Sequence, residues 1–274
     1  MKNKLIDLFY NQKLKSTKYT TYLDTYEQLF EKYKEKKITF VEIGAKNGGS
    51  LLMWKNYFSN DSRIIGIDLN PDAKKLEANG LEIFIGDQSD ESFWKNFFNE
   101  VGPVDIVLDD GGHLNIEQII TCEMCIPNIN NDGILLTEDV STSYMKRFLN
   151  PSKYSFINYS KKKIDDINFR FPEIGRLENS LNKYIHSIEF FESIVCFKIN
   201  RDKCLINKGI TNSGEDIGIE DLRLGKQKTI RSLRNKFFFL RNISLFKYIS
   251  GKIVLFNNKF SIYLKNLKSK KFFK

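Results

Sequence analysis

Between residues 38 and 137, five short apolar, β-branched runs alternate with stretches of helical spacing. The runs cover 38–43, 63–68, 80–85, 104–108 and 133–137, and each ends on or just before a glycine or an acid. Residues 51–58, 71–79, 90–100 and 116–126 carry the helical spacing, and Pro71 stands where a helix would begin. Strands of five or six residues separated by helices imply βαβ units and a parallel sheet covered on both faces. Right-handed crossovers then restrict the topology to a doubly wound α/β sandwich, Rossmann-like in its layering. Two more strand-like runs, 186–191 and 193–199, have no room for a crossover helix between them and read as an antiparallel hairpin. Residues 1–37 read as helical and polar, ending in EKYKEKK, and the irregular stretch 141–182 reads as a candidate cover over a site.

Charge divides the chain. Net charge is +9, yet residues 222–274 hold 15 Lys and Arg with no acid, which leaves the first 221 residues at −6. The expected organisation is an N-terminal helical segment (1–37), an α/β domain (38–200) and a basic amphipathic, helical C-terminal extension (201–274). In that extension Lys and Arg interleave with Phe, Leu, Ile and Tyr, a pattern suited to an anionic membrane surface or to a protein partner. Nucleic acid is not expected as a partner, because the residues with chemical character lie in the acidic part. No run approaches the roughly 20 apolar residues of a spanning helix. Asp7 breaks the only apolar run near the start, so no cleavable leader is expected. The expected location is the cytoplasm, with peripheral contact at the inner membrane through the tail. Four irregularly spaced cysteines do not make a disulfide framework, and Cys122 and Cys125 read as core thiols.

In an open α/β sheet, ligands bind beyond the carboxyl ends of the strands, so the polar residues there should converge. After the first run stands Glu42-Ile43-Gly44-Ala45-Lys46-Asn47-Gly48-Gly49-Ser50. Its glycines allow close backbone approach, and its acid can receive an ammonium or a hydroxyl group. Asp68 ends the second run, where a carboxylate can accept both hydroxyls of a ribose. Asp87 and Gln88 follow the third, suited to the amino edge of an adenine. Taken singly, each acid reads equally well as a helix N-cap, Asp90 above all.

In this order the residues resemble the class I S-adenosylmethionine-dependent methyltransferases over roughly residues 38–200, whose seven-stranded sheet ends in an antiparallel pair. The resemblance implies that Glu42, Gly44 and Gly48, with Ser50 in the same loop, flank the methionyl part of the cofactor. It places Asp68 at the ribose, and Asp87 with Gln88 at the adenine.

The fourth run ends in Asp109-Asp110-Gly111-Gly112-His113 and the fifth in Thr137-Glu138-Asp139. Four carboxylates gathered without a counter-ion would repel one another, a difficulty that a hard divalent cation removes. Oxygen ligands suit Mg²⁺, and His113 is the natural general base beside it. The combination resembles the metal-dependent sugar O-methyltransferases of the mycinamicin type, as do the phrases GSLLMWKNYF, GDQSD and HSIEFFESIVCFKI. That likeness implies Asp110, Glu138 and Asp139 as metal ligands, His113 as catalytic base and Asp109 nearer the cofactor. Gly112 departs from the family, which often carries Ser there.

The expected activity is therefore S-adenosylmethionine- and Mg²⁺-dependent O-methylation of a sugar hydroxyl. A nucleotide-activated sugar for a bacterial capsule or other surface polysaccharide, with a heptose as one candidate, is the expected acceptor. The alternatives are another small natural-product or phosphate-bearing acceptor, or a non-catalytic membrane-recruitment module. A homo-oligomer is expected from the family likeness.

Overall fold

The computed structural model describes residues 4–148, 152–171, 174, 180–219 and scattered positions between 252 and 272. It divides into two units, residues 1–209 and 210–274. The first holds every element described here. The basic run 222–274, with its expected amphipathic helix and membrane contact, lies almost wholly outside the described residues.

Five parallel strands form in the expected places: β1 (Thr39–Ile43), β2 (Arg63–Asp68), β3 (Glu82–Ile85), β4 (Val104–Asp109) and β5 (Ile129–Thr137). The hairpin strands β6 (Ile185–Phe191) and β7 (Ile194–Ile199) complete a seven-stranded sheet of order β3-β2-β1-β4-β5-β7-β6. β7 runs antiparallel to both β5 and β6. β5 begins four residues earlier than its apolar run. The exposed Asn130, Asn131 and Asp132 are carried in a shift of register, with Val104 opposite Ile129 and Ile106 opposite Ile134. Asp132 there takes a left-handed φ of 64°. The connection before β3, Pro71–Asn79, is a 3₁₀ rather than an α-helix, with Asn70 accepting from the Asp72 N–H at 3.0 Å.

Strand side chains alternate between faces, and the two hydrophobic layers follow that alternation. Phe40, Ile106, Leu108, Ile134 and Leu136 pack under α1 (Leu5–Tyr10), α2 (Thr20–Phe30) and α3 (Gly49–Tyr57). Val41, Ile43, Val107, Leu135, Val195 and Phe197 pack under α4 (Glu91–Val101), α5 (Asn115–Cys125) and α6 (Phe156–Asn168). The N-terminal segment is thus only outwardly polar. Tyr22, Tyr26, Leu29 and Phe30 of α2 are buried, and Tyr26 and Phe30 set their rings edge-on to Trp54.

None of the described residues of the stretch 141–182, expected as a cover, lines the cavity at the strand ends. The described core of that stretch is α6, whose Phe156 is buried against Phe197, while Tyr144 and Tyr154 are exposed. Ser155 caps α6, and Ser143 Oγ accepts from the Ile157 N–H, fixing the helix to the second layer. Cys122 and Cys125 are buried free thiols, as expected, and burial pushes both thiol pKa values up.

Candidate active site

A cavity of about 640 Å³ opens at the carboxyl ends of β1, β2, β3, β4 and β5. Of the residues expected to bind a cofactor, Gly44, Gly48, Ser50, Asp68, Asp87 and Gln88 line it, and so do Asp110, His113, Glu138 and Asp139. Glu42 and Asp109 do not; both are fully buried behind the wall.

Strand parity separates Asp109 from the other acids, while Glu42 shares their face one step deeper in its strand. Glu42 continues the face of Phe40, Asp110 that of Leu108, and Glu138 that of Leu136, so all three turn toward α2. Asp109 and Thr137 turn instead toward α5. There Asp109 Oδ1 accepts from Gln88 Nε2 at 3.0 Å and from the Gly111 N–H at 3.3 Å. Gln88 is consumed in the same network, donating also to Thr121 Oγ1 at 3.1 Å and accepting from the Gly112 N–H at 2.8 Å. Asp109 and Gln88, both expected near the cofactor, also brace the turn that carries His113, because buried polar groups must find partners. Among the described residues Asp109 Oδ2 has no hydrogen-bond partner, and burial pushes this carboxyl up to about 7.

The remaining cofactor candidates are placed at the cavity. Asp68 accepts from the Lys46 N–H at 2.7 Å and from the Asn70 N–H at 2.8 Å, which orients its carboxylate. Asp87 Oδ1 takes both the N–H and the hydroxyl of Ser89, each at 2.7 Å. Gly44 has φ +91°, and a Cβ there would lie 2.1 Å from the Asp110 carbonyl oxygen, so the first loop can meet the fourth strand end only through glycine. At Gly112 a Cβ would lie 2.2 Å from Glu117 Oε2, the atom that accepts from the Leu114 N–H at the start of α5. The departure from Ser at this position therefore leaves room for that cap.

Asp110, His113 and Asp139 each offer a ligand atom within 4.8 Å of the others. His113 Nε2 stands 3.5 Å from Asp139 Oδ2 and 3.9 Å from Asp110 Oδ1, while its buried Nδ1 has no hydrogen-bond partner among the described residues. The backbone at both His113 (φ 60°) and Asp139 (φ 54°) is left-handed, an unusual pair for non-glycine residues and a mark of constraint.

Three residues absent from the expectation complete the site: Lys18, Tyr22 and Tyr26, four apart, from just before α2 and its first two turns. Lys18 Nζ lies 2.5 Å from Asp110 Oδ2, 3.0 Å and 3.1 Å from the Glu138 oxygens, and 3.7 Å from Glu42 Oε1. Tyr22 donates to Asp139 Oδ1 at 2.6 Å, and Tyr26 donates to Glu138 Oε1. The carboxylates therefore do have a counter-ion, which corrects the premise that only a metal could relieve them. Burial disfavours charge on Lys18, but Glu138, Asp110 and Glu42 outweigh it and keep the ammonium protonated. Burial pushes Glu42 up to about 7 against the pull of Lys18, and pushes Glu138 up as well.

No protein-family model matches the chain. The described sheet, its order and its antiparallel end superpose on MycE methyltransferase in complex with Mg, SAH and mycinamycin VI, with a TM-score of 0.66 at 24% identity. That superposition covers 79% of this chain and 58% of the other. The fold is the class I S-adenosylmethionine-dependent methyltransferase fold. In sequence the chain resembles a Streptomyces olivaceus 8-demethyl-8-alpha-L-rhamnosyl tetracenomycin-C 2'-O-methyltransferase, 28% identical over 64% of this chain and 49% of that protein. The Mycinamicin VI 2''-O-methyltransferase of Micromonospora griseorubida is 31% identical over 45% of this chain and 32% of its own length. The methyltransferase likeness thus spans about half, or less, of these relatives. Among the described residues, no helix is long and apolar enough to cross a membrane.

Proposed function

We propose that this chain is an S-adenosylmethionine- and Mg²⁺-dependent O-methyltransferase acting on a sugar hydroxyl. The observation that carries the reading is the convergence of Asp110, His113 and Asp139 within 4.8 Å, in the same cavity as Gly44, Gly48, Asp68 and Asp87. The donor set fits a cation. Its carboxylates already close on one, the Lys18 ammonium, and oxygen ligands suit a hard divalent ion.

Asp110, Glu138 and Asp139 would hold the metal, and Gly44, Gly48, Ser50, Asp68 and Asp87 would cradle the cofactor. Bound together, the metal would acidify a sugar hydroxyl and S-adenosylmethionine would supply the methyl group. His113 takes the hydroxyl proton at Nε2, the nitrogen facing Asp110 and Asp139, and these carboxylates stabilise the imidazolium that results. The strand-end loops hold acceptor and cofactor in line, so that the barrier falls largely through positioning.

Relatives named for rhamnosyl tetracenomycin-C and mycinamicin VI support a sugar carried on a larger small molecule. The capsular heptose and the nucleotide-activated carrier expected from the sequence draw no support from these names, so the acceptor is assigned here only as a sugar hydroxyl. The test is methyl transfer from S-adenosylmethionine to a panel of glycosylated polyketides and nucleotide-sugars, with Mg²⁺ and with EDTA. Product formed only with Mg²⁺ is the expected result. EDTA-resistant turnover would remove the metal and keep the methyltransferase, and no turnover on any sugar would remove the acceptor class.

A further inference from the structure

Resting on that reading, we propose that Lys18 is a resident cation whose place at Asp110 and Glu138 is taken by the divalent metal. Metal binding is then an exchange in which the Lys18 ammonium withdraws from the carboxylates.

The geometry sets two cations in competition for the same ligands. Lys18 Nζ holds Asp110 through Oδ2, while Oδ1 of the same carboxylate faces His113 at 3.9 Å. Both oxygens of Glu138 also point at Nζ, at 3.0 and 3.1 Å. A metal drawing on Asp110, Glu138 and Asp139 would sit within a few ångströms of an ammonium that only 2% of its side-chain surface shares with solvent. Two like charges that close, in a site of low dielectric, repel strongly, and only one can keep Glu138.

The chain can accommodate the exchange. Residues 14–19, between α1 and α2, are outside any helix, and Lys15 through Tyr19 line the cavity wall. Lys18 can therefore withdraw by movement of a linker without unravelling an element. With no metal, the ammonium keeps Glu42, Asp110 and Glu138 from repelling one another, so the site stays assembled and ready.

The experiment is lysine acylation of the full chain, stripped with EDTA and titrated with Mg²⁺, read site by site by mass spectrometry. Lys75, whose side chain is 78% exposed, serves as the internal reference. Binding itself is followed in parallel by calorimetry. Lys18 should be protected in the stripped protein and become at least about fivefold more reactive as Mg²⁺ saturates, with Lys75 unchanged. In addition, Lys18→Met should bind Mn²⁺ roughly tenfold more tightly. Should that variant fail to fold, the wild-type footprint decides alone. Metal binding with Lys18 still protected overturns the exchange and leaves the proposed function standing. Absence of any metal binding overturns both the exchange and the metal-dependent reaction.

Discussion

The Tyr22 hydroxyl donates to Asp139 Oδ1 at 2.6 Å and accepts from the Asp139 backbone N–H at 3.3 Å, joining residues 117 positions apart. One phenol thus grips both ends of a residue held in a left-handed conformation at the end of β5. With Tyr26 on Glu138 and Lys18 on Asp110, α2 and the linker before it build one wall of a site whose other walls are strand ends. Burial and the Asp139 bond push the Tyr22 hydroxyl pKa well above its ordinary value, so it stays a donor at any working pH.

Tyr22→Phe removes that donor while keeping the ring in its packed place. The variant should lose about 1–2 kcal/mol of stability, the usual cost of leaving a partly buried polar group without its partner. Mg²⁺ affinity should fall with it, because Asp139 loses its orientation. Denaturant unfolding and calorimetric metal titration read the two effects; unchanged metal affinity would show that Asp139 needs no brace.

His113→Ala should bind S-adenosylmethionine as the wild type does, since the cradle of Gly44, Gly48, Asp68 and Asp87 is untouched. Turnover should fall by roughly 10²–10⁴, the usual contribution of a positioned base. Equilibrium cofactor binding alongside single-turnover kinetics separates the two. A rate within a few-fold of wild type would assign the proton to another acceptor.

Much of this site is legible in the sequence because strand ends are local signals. The apolar runs ending in Glu42, Asp68, Asp109-Asp110 and Glu138-Asp139 mark both the strands and the acids that follow them. Period-two alternation even assigns Glu42, Asp110 and Glu138 to one face. What the pattern does not say is which segment covers that face. Lys18, Tyr22, Tyr26 and Phe30 recur every four residues, a helical stripe, but Thr, Asp, Glu and Gln between them make the segment read as polar. The carboxylates that Lys18, Tyr22 and Tyr26 hydrogen-bond lie 92 to 120 residues away, beyond any local pattern. Asp109 and Gln88 show another limit: their positions at strand ends are legible, but the hydrogen bond between their buried side chains is not.

Gly44→Ala should be poorly tolerated. Its φ of +91° is strained for any L side chain, and its Cβ would press on the Asp110 carbonyl oxygen from 2.1 Å, backbone that cannot swing aside. Relief requires the loop carrying Asp110 and His113 to move. The variant should be destabilised by about 2 kcal/mol or more and should lose cofactor and metal affinity together. Unfolding midpoints and separate titrations of the two ligands check this. Wild-type affinity for both would mean that the first loop and the fourth strand end are not in contact in solution.

Asp109→Asn should stabilise the protein in a pH-dependent way. Burial holds the Asp109 carboxyl up at about 7, whereas an unfolded aspartate titrates near about 3.9. Between those values the folded chain binds the proton that the unfolded chain has released, so stability from this group falls as pH rises and levels off above 7. Asparagine keeps the acceptor used by Gln88 and Gly111 and has no charge to bury. The variant should match wild type near pH 4 and exceed it progressively toward pH 7–8. The ceiling is about 4 kcal/mol at roughly 1.4 kcal/mol per unit, and less where the site relaxes. Glu42, also raised to about 7 by burial, slopes both curves alike, so the difference between them isolates Asp109. Denaturant unfolding of both proteins from pH 4 to 8 measures it, and a difference that does not change with pH would place the Asp109 carboxylate in contact with water.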